Sequence, residues 1–229
     1  MNSFWVWLQI AENKNKLSFW GLLLLLAVMP AMFGGNRPIP WSFMAFMSAL
    51  LLSFRSVAAY QTKIIISFMH IRFSSITFLM VLIWIILQAT ILGLLNSTHP
   101  IWQISAEALN IDIKASLTLG KHNAIEALMK LTSYGIIFWL AMQFGRSSKR
   151  AKAIFLTICL SSAIYAIYGL ILHSFSINKI LWYDKLFNQD SLSSTFVNKN
   201  SYATYAGIGV ILSLALLYIN VFDKSYFSD

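Results

Sequence analysis

The sequence predicts an all-α, polytopic membrane protein, and two observations lead to this fold class. The first is composition: 58% of the 229 residues are hydrophobic and only 11% are charged, and the mean hydropathy is +0.68. A typical soluble domain is about half apolar and about one quarter charged. The second is that the apolar residues fall into runs of helix length. One soluble core cannot hide this much apolar surface, so lipid must cover part of it.

Six apolar runs are predicted to cross a bilayer whose hydrocarbon core is about 30 Å thick. The predicted spans are residues 17–33, 39–54, 76–95, 131–144, 154–175 and 202–221. We interpret the chain, residues 1–229, as a single transmembrane domain. Small residues on the last two spans, at spacings that favour close helix packing, mark the predicted contact faces. They are Ser162, Ala166 and Gly169 on the fifth span and Ala203 and Gly207 on the sixth.

The connections in the first half contain helix breakers and charges. Residues 1–16 are predicted to form an amphipathic segment at the membrane interface. The sequence Gly34-Gly35-Asn36-Arg37-Pro38 predicts a tight turn, because glycine and proline end helices. The apolar stretch within residues 55–75 is too short to cross the bilayer. We therefore interpret residues 55–75 as a loop containing an interfacial helix.

The connection at residues 96–130 is predicted to be an outer loop. A short helix is expected to begin around Pro100 and end at Leu109, with Glu107 exposed. Residues 111–119 alternate apolar and polar side chains, which predicts an extended segment on an apolar surface. Asn123, followed three residues later by Glu126, resembles a capping box that would start the helix of the fourth span.

Positive charge predicts the orientation in the membrane. The most basic short loop is residues 145–152, with the sequence GRSSKRAK, and the positive-inside rule places it in the cytoplasm. Both termini are then cytoplasmic, and residues 96–130 and 176–200 form the outer loops. The net charge of +9 comes from basic residues scattered between apolar runs. This distribution is typical of membrane orientation, so no nucleic-acid partner is expected.

Motifs of soluble enzymes are absent from the sequence. It contains no glycine-rich phosphate loop, no HExxH and no GxSxG. The four histidines are dispersed along the chain, so we expect no metal site and no cofactor. No predicted span carries a charged residue, which argues against an ion-coupled transporter.

The most suggestive polar segment lies where the sixth span begins. Lys199 stands between Asn198 and Asn200, and a cation, two amides and a helix N-terminus together favour an anion. A phosphate or diphosphate at the membrane surface would fit this chemistry. The alternative interpretation is that Asn200 only caps the helix and Lys199 only reaches toward lipid headgroups. Arg37 and His99 are the further candidates on the predicted outer face.

These residues also carry a family resemblance. The segment Thr195-Phe196-Val197-Asn198-Lys199-Asn200, followed by Tyr202-Ala203 and an apolar helix, resembles the TFxN(R/K)N-x-(F/Y)-A signature of bacterial O-antigen ligases and related polysaccharide polymerases. Upstream, His99-Pro100-Ile101-Trp102 and the helices after it resemble the outer loop of such proteins. The resemblance covers residues 96–218.

The resemblance implies a multi-pass glycosyltransferase of the GT-C-like class in the bacterial inner membrane. Such proteins need neither metal nor cofactor. They take a glycan from an undecaprenyl diphosphate carrier and transfer it to lipid A-core or to another glycan. Lys199, Asn198 and Asn200 would then lie near the donor diphosphate, and no catalytic residue is assigned.

This chain departs from the family pattern in composition and in length. Lysine at position 199 replaces a frequent arginine, and Ser201 stands where many members have histidine. Family members continue through further spans and a large outer loop that supplies the catalytic histidine. The 229 residues are therefore expected to correspond to an amino-terminal portion, with a possible partner that carries the remainder. Two other functions stay open: a flippase or exporter of polysaccharide intermediates, and a non-catalytic membrane scaffold or remnant.

Overall fold

The computed structural model describes residues 2–62, 71–89, 99–113, 116–185 and 191–222. These residues are mostly helical. Seven helices and one two-stranded hairpin are present in the described ranges: α1 (Asn2–Val28), α2 (Pro38–Thr62), α3 (Arg72–Ala89), α4 (Ile101–Leu109), α5 (Lys121–Phe144), α6 (Ser148–Ser174), β1 (Lys179–Ile180), β2 (Tyr183–Asp184) and α7 (Lys199–Phe222). The all-α class predicted from composition is confirmed.

Five of these helices are long and apolar enough to cross a membrane. Their candidate spans are Pro38–Tyr60, Arg72–Ala89, Lys121–Phe144, Ser148–Ser174 and Lys199–Val221. The apolar part of α1, Asn15–Ala31, is shorter. This set of helices is that of a multi-pass membrane protein. The number of spans and their orientation stay predictions.

Several helices extend beyond the predicted spans. Helix α2 continues to Thr62, so Arg55 lies within it and not in a loop, while residues 63–70 lie outside the described ranges. Helix α1 begins at Asn2 and continues without a break into the apolar run. Helix ends follow backbone hydrogen bonding and capping, whereas a hydropathy run reports only the apolar part of a helix.

The chain divides into two compact units. One contains residues 1–64 and 136–229, and the other contains residues 65–135. In the first unit α1 packs against α2, where the Ser18 hydroxyl donates to the Leu51 carbonyl oxygen at 2.9 Å. Helix α6 packs against α7 in antiparallel fashion, with Lys152 Nζ 3.0 Å from Asn220 Oδ1.

The core of the first unit is apolar, and half of its buried residues lie on α1. Its buried residues are Phe19, Leu22, Leu23, Leu25, Leu51, Leu140, Phe144 and Ile154. The turn between α1 and α2 closes one end of this unit. It contains two short 3₁₀ segments, Met29–Ala31 and Phe33–Gly35, because Pro30 cannot continue the α-helical hydrogen bonding.

In the second unit, α4 confirms the predicted short helix, and Glu107 is exposed as predicted. Helix α5 begins at Lys121, so Asn123 lies inside its first turn and is not the cap that the sequence suggested. Instead, the Gly120 carbonyl oxygen accepts from the Ala124 N–H at 3.1 Å.

The alternating segment that follows α4 differs from its prediction. The described residues of 111–119 form no strand, and Ile111 and Leu119 are exposed while Ser116 is buried. The Ser116 carbonyl oxygen accepts from the His99 N–H, and its hydroxyl donates to the Thr118 carbonyl oxygen at 2.7 Å. These hydrogen bonds accompany the burial of Ser116, and an alternation of apolar and polar residues in the sequence does not reveal them.

Candidate functional site

The candidate site lies in the first unit, at the N-terminus of α7, and the four residues Ser193–Phe196 before it are buried. The Ser194 hydroxyl donates to the Tyr165 carbonyl oxygen at 2.6 Å. The Thr195 hydroxyl donates to the Pro30 carbonyl oxygen at 2.7 Å, and this hydrogen bond is itself buried. The first half of the Thr195–Asn200 segment therefore anchors the N-terminus of α7 to α6 and to the α1–α2 turn.

Phe196 completes this anchor through ring contacts. Its ring centroid lies 5.9 Å from that of Tyr202 and 5.4 Å from that of Tyr205. On the other side it covers Gly34, whose φ is +63° and whose position leaves no room for a Cβ beside the ring. Glycine at position 34 thus allows both the left-handed backbone and the close approach of the ring.

Two partly buried hydrogen bonds of tyrosines support the anchor from within the helices. The Tyr165 hydroxyl donates to the Ala27 carbonyl oxygen at 2.7 Å, near the end of α1 where carbonyl groups lack helical partners. The hydroxyls of Ser161 and Tyr205 share a hydrogen bond of 2.7 Å. These tyrosines were not identified from the sequence. The sequence does show a polar hydroxyl group within an otherwise apolar helix. It does not show which group that hydroxyl bonds.

The second half of the segment is exposed, in contrast to the first. Asn198, Lys199 and Asn200 all face solvent in the isolated chain. Asn198 is the N-cap of α7, since its Oδ1 accepts from the Asn200 N–H at 2.8 Å and its carbonyl oxygen accepts from the Tyr202 N–H. The prediction that Asn200 is the capping residue is therefore wrong, and Asn200 only provides the N–H that is capped.

Lys199 is the first residue of α7, and its charge is free in the described part of the chain. No ion pair or side-chain hydrogen bond joins it to the described residues. The backbone N–H of Ser201, in the same first turn, also has no acceptor there. A free ammonium group beside a helix N-terminus that Asn198 caps only in part has the chemistry to hold an anion.

The other two predicted candidates lie in different settings. Arg37 is exposed at the end of the α1–α2 turn, three residues beyond Gly34, which lies against the ring of Phe196. Arg37 and Phe196 therefore belong to the same end of the first unit. Its carbonyl oxygen accepts from the Trp41 N–H. His99 belongs to the second unit, where its Nδ1 accepts from the Ile101 N–H at 3.3 Å and thereby helps to start α4.

The loop before the site contributes one buried cation that the sequence did not indicate. After the β1–β2 hairpin, Lys185 is buried, and its Nζ donates to the Ser191 carbonyl oxygen at 3.0 Å. Burial lowers the pKa of Lys185 below its ordinary value. This lysine stabilises the start of the segment that leads to Ser193.

The predicted helix-packing faces are only partly correct. On α6, Ser162 and Gly169 are buried as predicted, against Gly209 and Ser194. On α7, Ala203 and Gly207 are exposed, and Gly209 makes the close approach instead. The face of α7 that contacts α6 contains Tyr205, which shares a hydrogen bond with Ser161, and Gly209, which lies against Ser162.

Within the described residues, no group of three or more His, Cys, Asp or Glu side chains is arranged to hold a metal ion. The exposed chemistry at the N-terminus of α7 is instead that of a cation and amide donors. Comparisons of the chain with protein-family models, with curated proteins and with solved structures gave no match.

Proposed function

We propose that the N-terminus of α7 binds the diphosphate of a lipid-linked glycan, as part of an O-antigen ligase-like glycosyltransferase in the bacterial inner membrane. The observation that carries the proposal is the division of the Thr195–Asn200 segment. Its first half is buried and hydrogen-bonded, while Asn198, Lys199 and Asn200 remain exposed at the start of α7. If the segment served only for packing, its exposed half would not need a cation without a protein partner.

The electrostatics favour an anion with several acceptor oxygens. Lys199 Nζ offers three donors, and the helix end adds a partial positive charge and free backbone N–H groups. A diphosphate provides enough oxygens to accept from all of them at once. Because Lys199 begins a helix that is apolar enough to cross a membrane, the diphosphate would bind at the membrane surface with its lipid chain beside α7.

In the proposed reaction, these groups position the donor and stabilise negative charge that develops on the departing diphosphate. Breaking the bond between the sugar and the phosphate oxygen leaves that oxygen more negative. Preorganised donors lower the energy of such a transition state. A hydroxyl oxygen of lipid A-core or of another glycan would form the new bond to the anomeric carbon of the transferred sugar, its proton would pass to a base, and the lipid diphosphate would leave.

Lys199→Gln tests the proposal in proteoliposomes that contain the purified chain. Binding of a fluorescent prenyl diphosphate should weaken by roughly tenfold or more, since charge-assisted hydrogen bonds contribute about 1.5–3 kcal/mol. Lys179→Gln is the matched control. It removes the same charge from an exposed lysine in β1, whose Nζ lies 4.0 Å from Asp184 Oδ1. Equal binding by wild type and Lys199→Gln would exclude the assigned site.

Supplying a lipid diphosphate-linked glycan together with an acceptor glycan separates transfer from export. Modification of the acceptor by the wild-type protein, reduced in Lys199→Gln, supports a transferase. Movement of the lipid-linked glycan across the vesicle membrane without acceptor modification would instead indicate a flippase or exporter. Binding without either activity would indicate a protein that only holds the donor.

A further inference from the structure

Two arginines share one aromatic ring at the opposite end of the first unit. The guanidinium carbon of Arg55 lies 5.6 Å from the ring centroid of Phe144, and that of Arg150 lies 5.5 Å from the same centroid. Arg150 also lies 5.3 Å from the ring centroid of Phe19. The two rings pack edge to face at 5.3 Å. Four helices, α1, α2, α5 and α6, thus meet at this cluster.

The charges of the cluster are not neutralised by the described residues. Arg55 is 4% exposed, and its Nε is buried without a hydrogen-bond partner. Its one hydrogen bond to another side chain, from Nη1 to Asn15 Oδ1 at 3.1 Å, goes to a neutral amide. Neither Arg55 nor Arg150 forms an ion pair within the described chain. Buried charges in proteins are normally paired, so two neighbouring cations without a counter-charge are unusual.

Contacts with aromatic rings do not resolve this imbalance. Cation–π attraction lowers the energy of each guanidinium but supplies no acceptor for the buried Nε of Arg55 and leaves both charges in place. The side-chain oxygen of Gln143, also buried without a partner, is neutral. A neutral acceptor or a water molecule would satisfy hydrogen bonds, but only an anion would balance the charge.

The first turn of α6 adds donors at the same place. Ser147, the residue before the helix, makes no side-chain capping hydrogen bond. The first N–H of the helix with a helical acceptor is that of Ala151, which donates to the Ser147 carbonyl oxygen at 2.8 Å. The N–H groups of residues 148–150 therefore lie at a free helix N-terminus, and Arg150 is on that turn.

We propose that Arg150, the free N–H groups at the start of α6 and the buried Arg55 behind them form a binding site for a phosphate-bearing anion. Arg150 is half-buried and reaches solvent, so it would contact the phosphate oxygens through its planar N–H groups. Arg55 supplies a second positive charge from the interior. The site lies at the end of the unit that the positive-inside rule assigns to the cytoplasm, where anionic lipid headgroups and soluble phosphate are both available.

The test measures thermal unfolding of the purified full chain in detergent by circular dichroism. Phosphatidylglycerol, phosphatidylcholine or inorganic phosphate is added in separate samples. Chloride at equal ionic strength is the control for phosphate. Wild type should be stabilised by phosphatidylglycerol or by phosphate, and more than by phosphatidylcholine. Stabilisation by phosphatidylglycerol alone identifies a lipid headgroup, whereas stabilisation by millimolar phosphate identifies a soluble anion.

Arg150→Gln should lose this stabilisation, while Lys149→Gln should keep it. Lys149 is exposed in the same turn and carries the same charge, but it does not contact the aromatic rings. Should Arg150→Gln fail to fold, Arg150→Lys replaces it and should show a smaller shift than wild type, because lysine lacks the planar fork. No stabilisation of wild type, a full shift in the Arg150 variant, or an equal loss in Lys149→Gln would each overturn the proposal.

Discussion

The hydroxyl of Thr195 donates to the backbone carbonyl oxygen of Pro30 at 2.7 Å, across 165 residues of sequence. This buried hydrogen bond joins the segment before α7 to the turn that ends α1. Pro30 lies in the 3₁₀ segment Met29–Ala31, beyond the end of α1, so its carbonyl oxygen has no α-helical partner. One side chain therefore satisfies a helix end and holds the candidate site in place.

Thr195→Val should destabilise the protein by about 1–3 kcal/mol. The two side chains have nearly the same shape, but valine leaves the buried Pro30 carbonyl oxygen without a donor. Thermal unfolding in detergent measures the change. Thr204→Val is the matched control, because the Thr204 hydroxyl is exposed and donates only to the Asn200 carbonyl oxygen of its own helix. An equal effect of both substitutions would contradict the role given to Thr195.

Gly34→Ala should destabilise the α1–α2 turn through two separate effects. The φ of +63° is unfavourable for alanine, and the added Cβ would overlap the ring of Phe196. A double-mutant cycle with Phe196→Ala separates them, because removing the ring relieves only the overlap. The double variant should then be more stable than the sum of the single losses predicts. Strict additivity would show that the ring contact is unimportant.

Gly209→Ala and Gly207→Ala should change stability in opposite directions. A Cβ at Gly209 would overlap the side chain of Ser162 and force α6 and α7 apart, whereas no atom lies within 4 Å of a Cβ at Gly207. Alanine at an unobstructed helical position is favoured over glycine by about 0.8–1 kcal/mol. Melting temperatures of the two variants measure the difference, and destabilisation by Gly207→Ala alone would refute this packing.

Lys185 should make stability depend on pH in the alkaline range. Burial lowers the pKa of Lys185 in the folded protein, so the unfolded chain binds more protons between the folded value and the ordinary value of about 10.4. The free energy of unfolding therefore rises as the pH rises through that window. Below the window, the full cost of burying the charged lysine destabilises the folded protein. In Lys185→Met the rise should be smaller. An unchanged pH profile of the melting temperature would contradict the assignment.

Part of the candidate site was accessible from sequence because its polar residues interrupt apolar runs. Lys199 and its two asparagines stand out in the sequence at the start of a long apolar helix, and all three are exposed in the structure. The identity of the cap was not accessible. Asn198 and Asn200 have the same side chain, and the helix begins two residues earlier than a cap at Asn200 would require.

Composition and local order of residues by themselves determined that this chain is an all-α protein with helices able to cross a membrane. Hydropathy is a sum over neighbouring residues, so a run of apolar side chains indicates a buried or lipid-covered helix without any knowledge of its neighbours. The short helix α4 followed in the same way from a local signal, the proline before Ile101.

Only the tertiary structure decided which polar groups are used inside the protein and which remain free. The burial of Thr195 and Arg55 and the partners of Thr195 and Tyr165 could not be predicted from the sequence. Thr195 and Arg55 are almost fully buried, and the hydroxyls of Thr195 and Tyr165 donate to carbonyl oxygens on α1 or in the turn after it. Lys199, by contrast, is exposed and forms no ion pair with the described residues. A hydrogen bond depends on distances of about 3 Å between residues that can be far apart along the chain. Such distances exist only once the helices have packed.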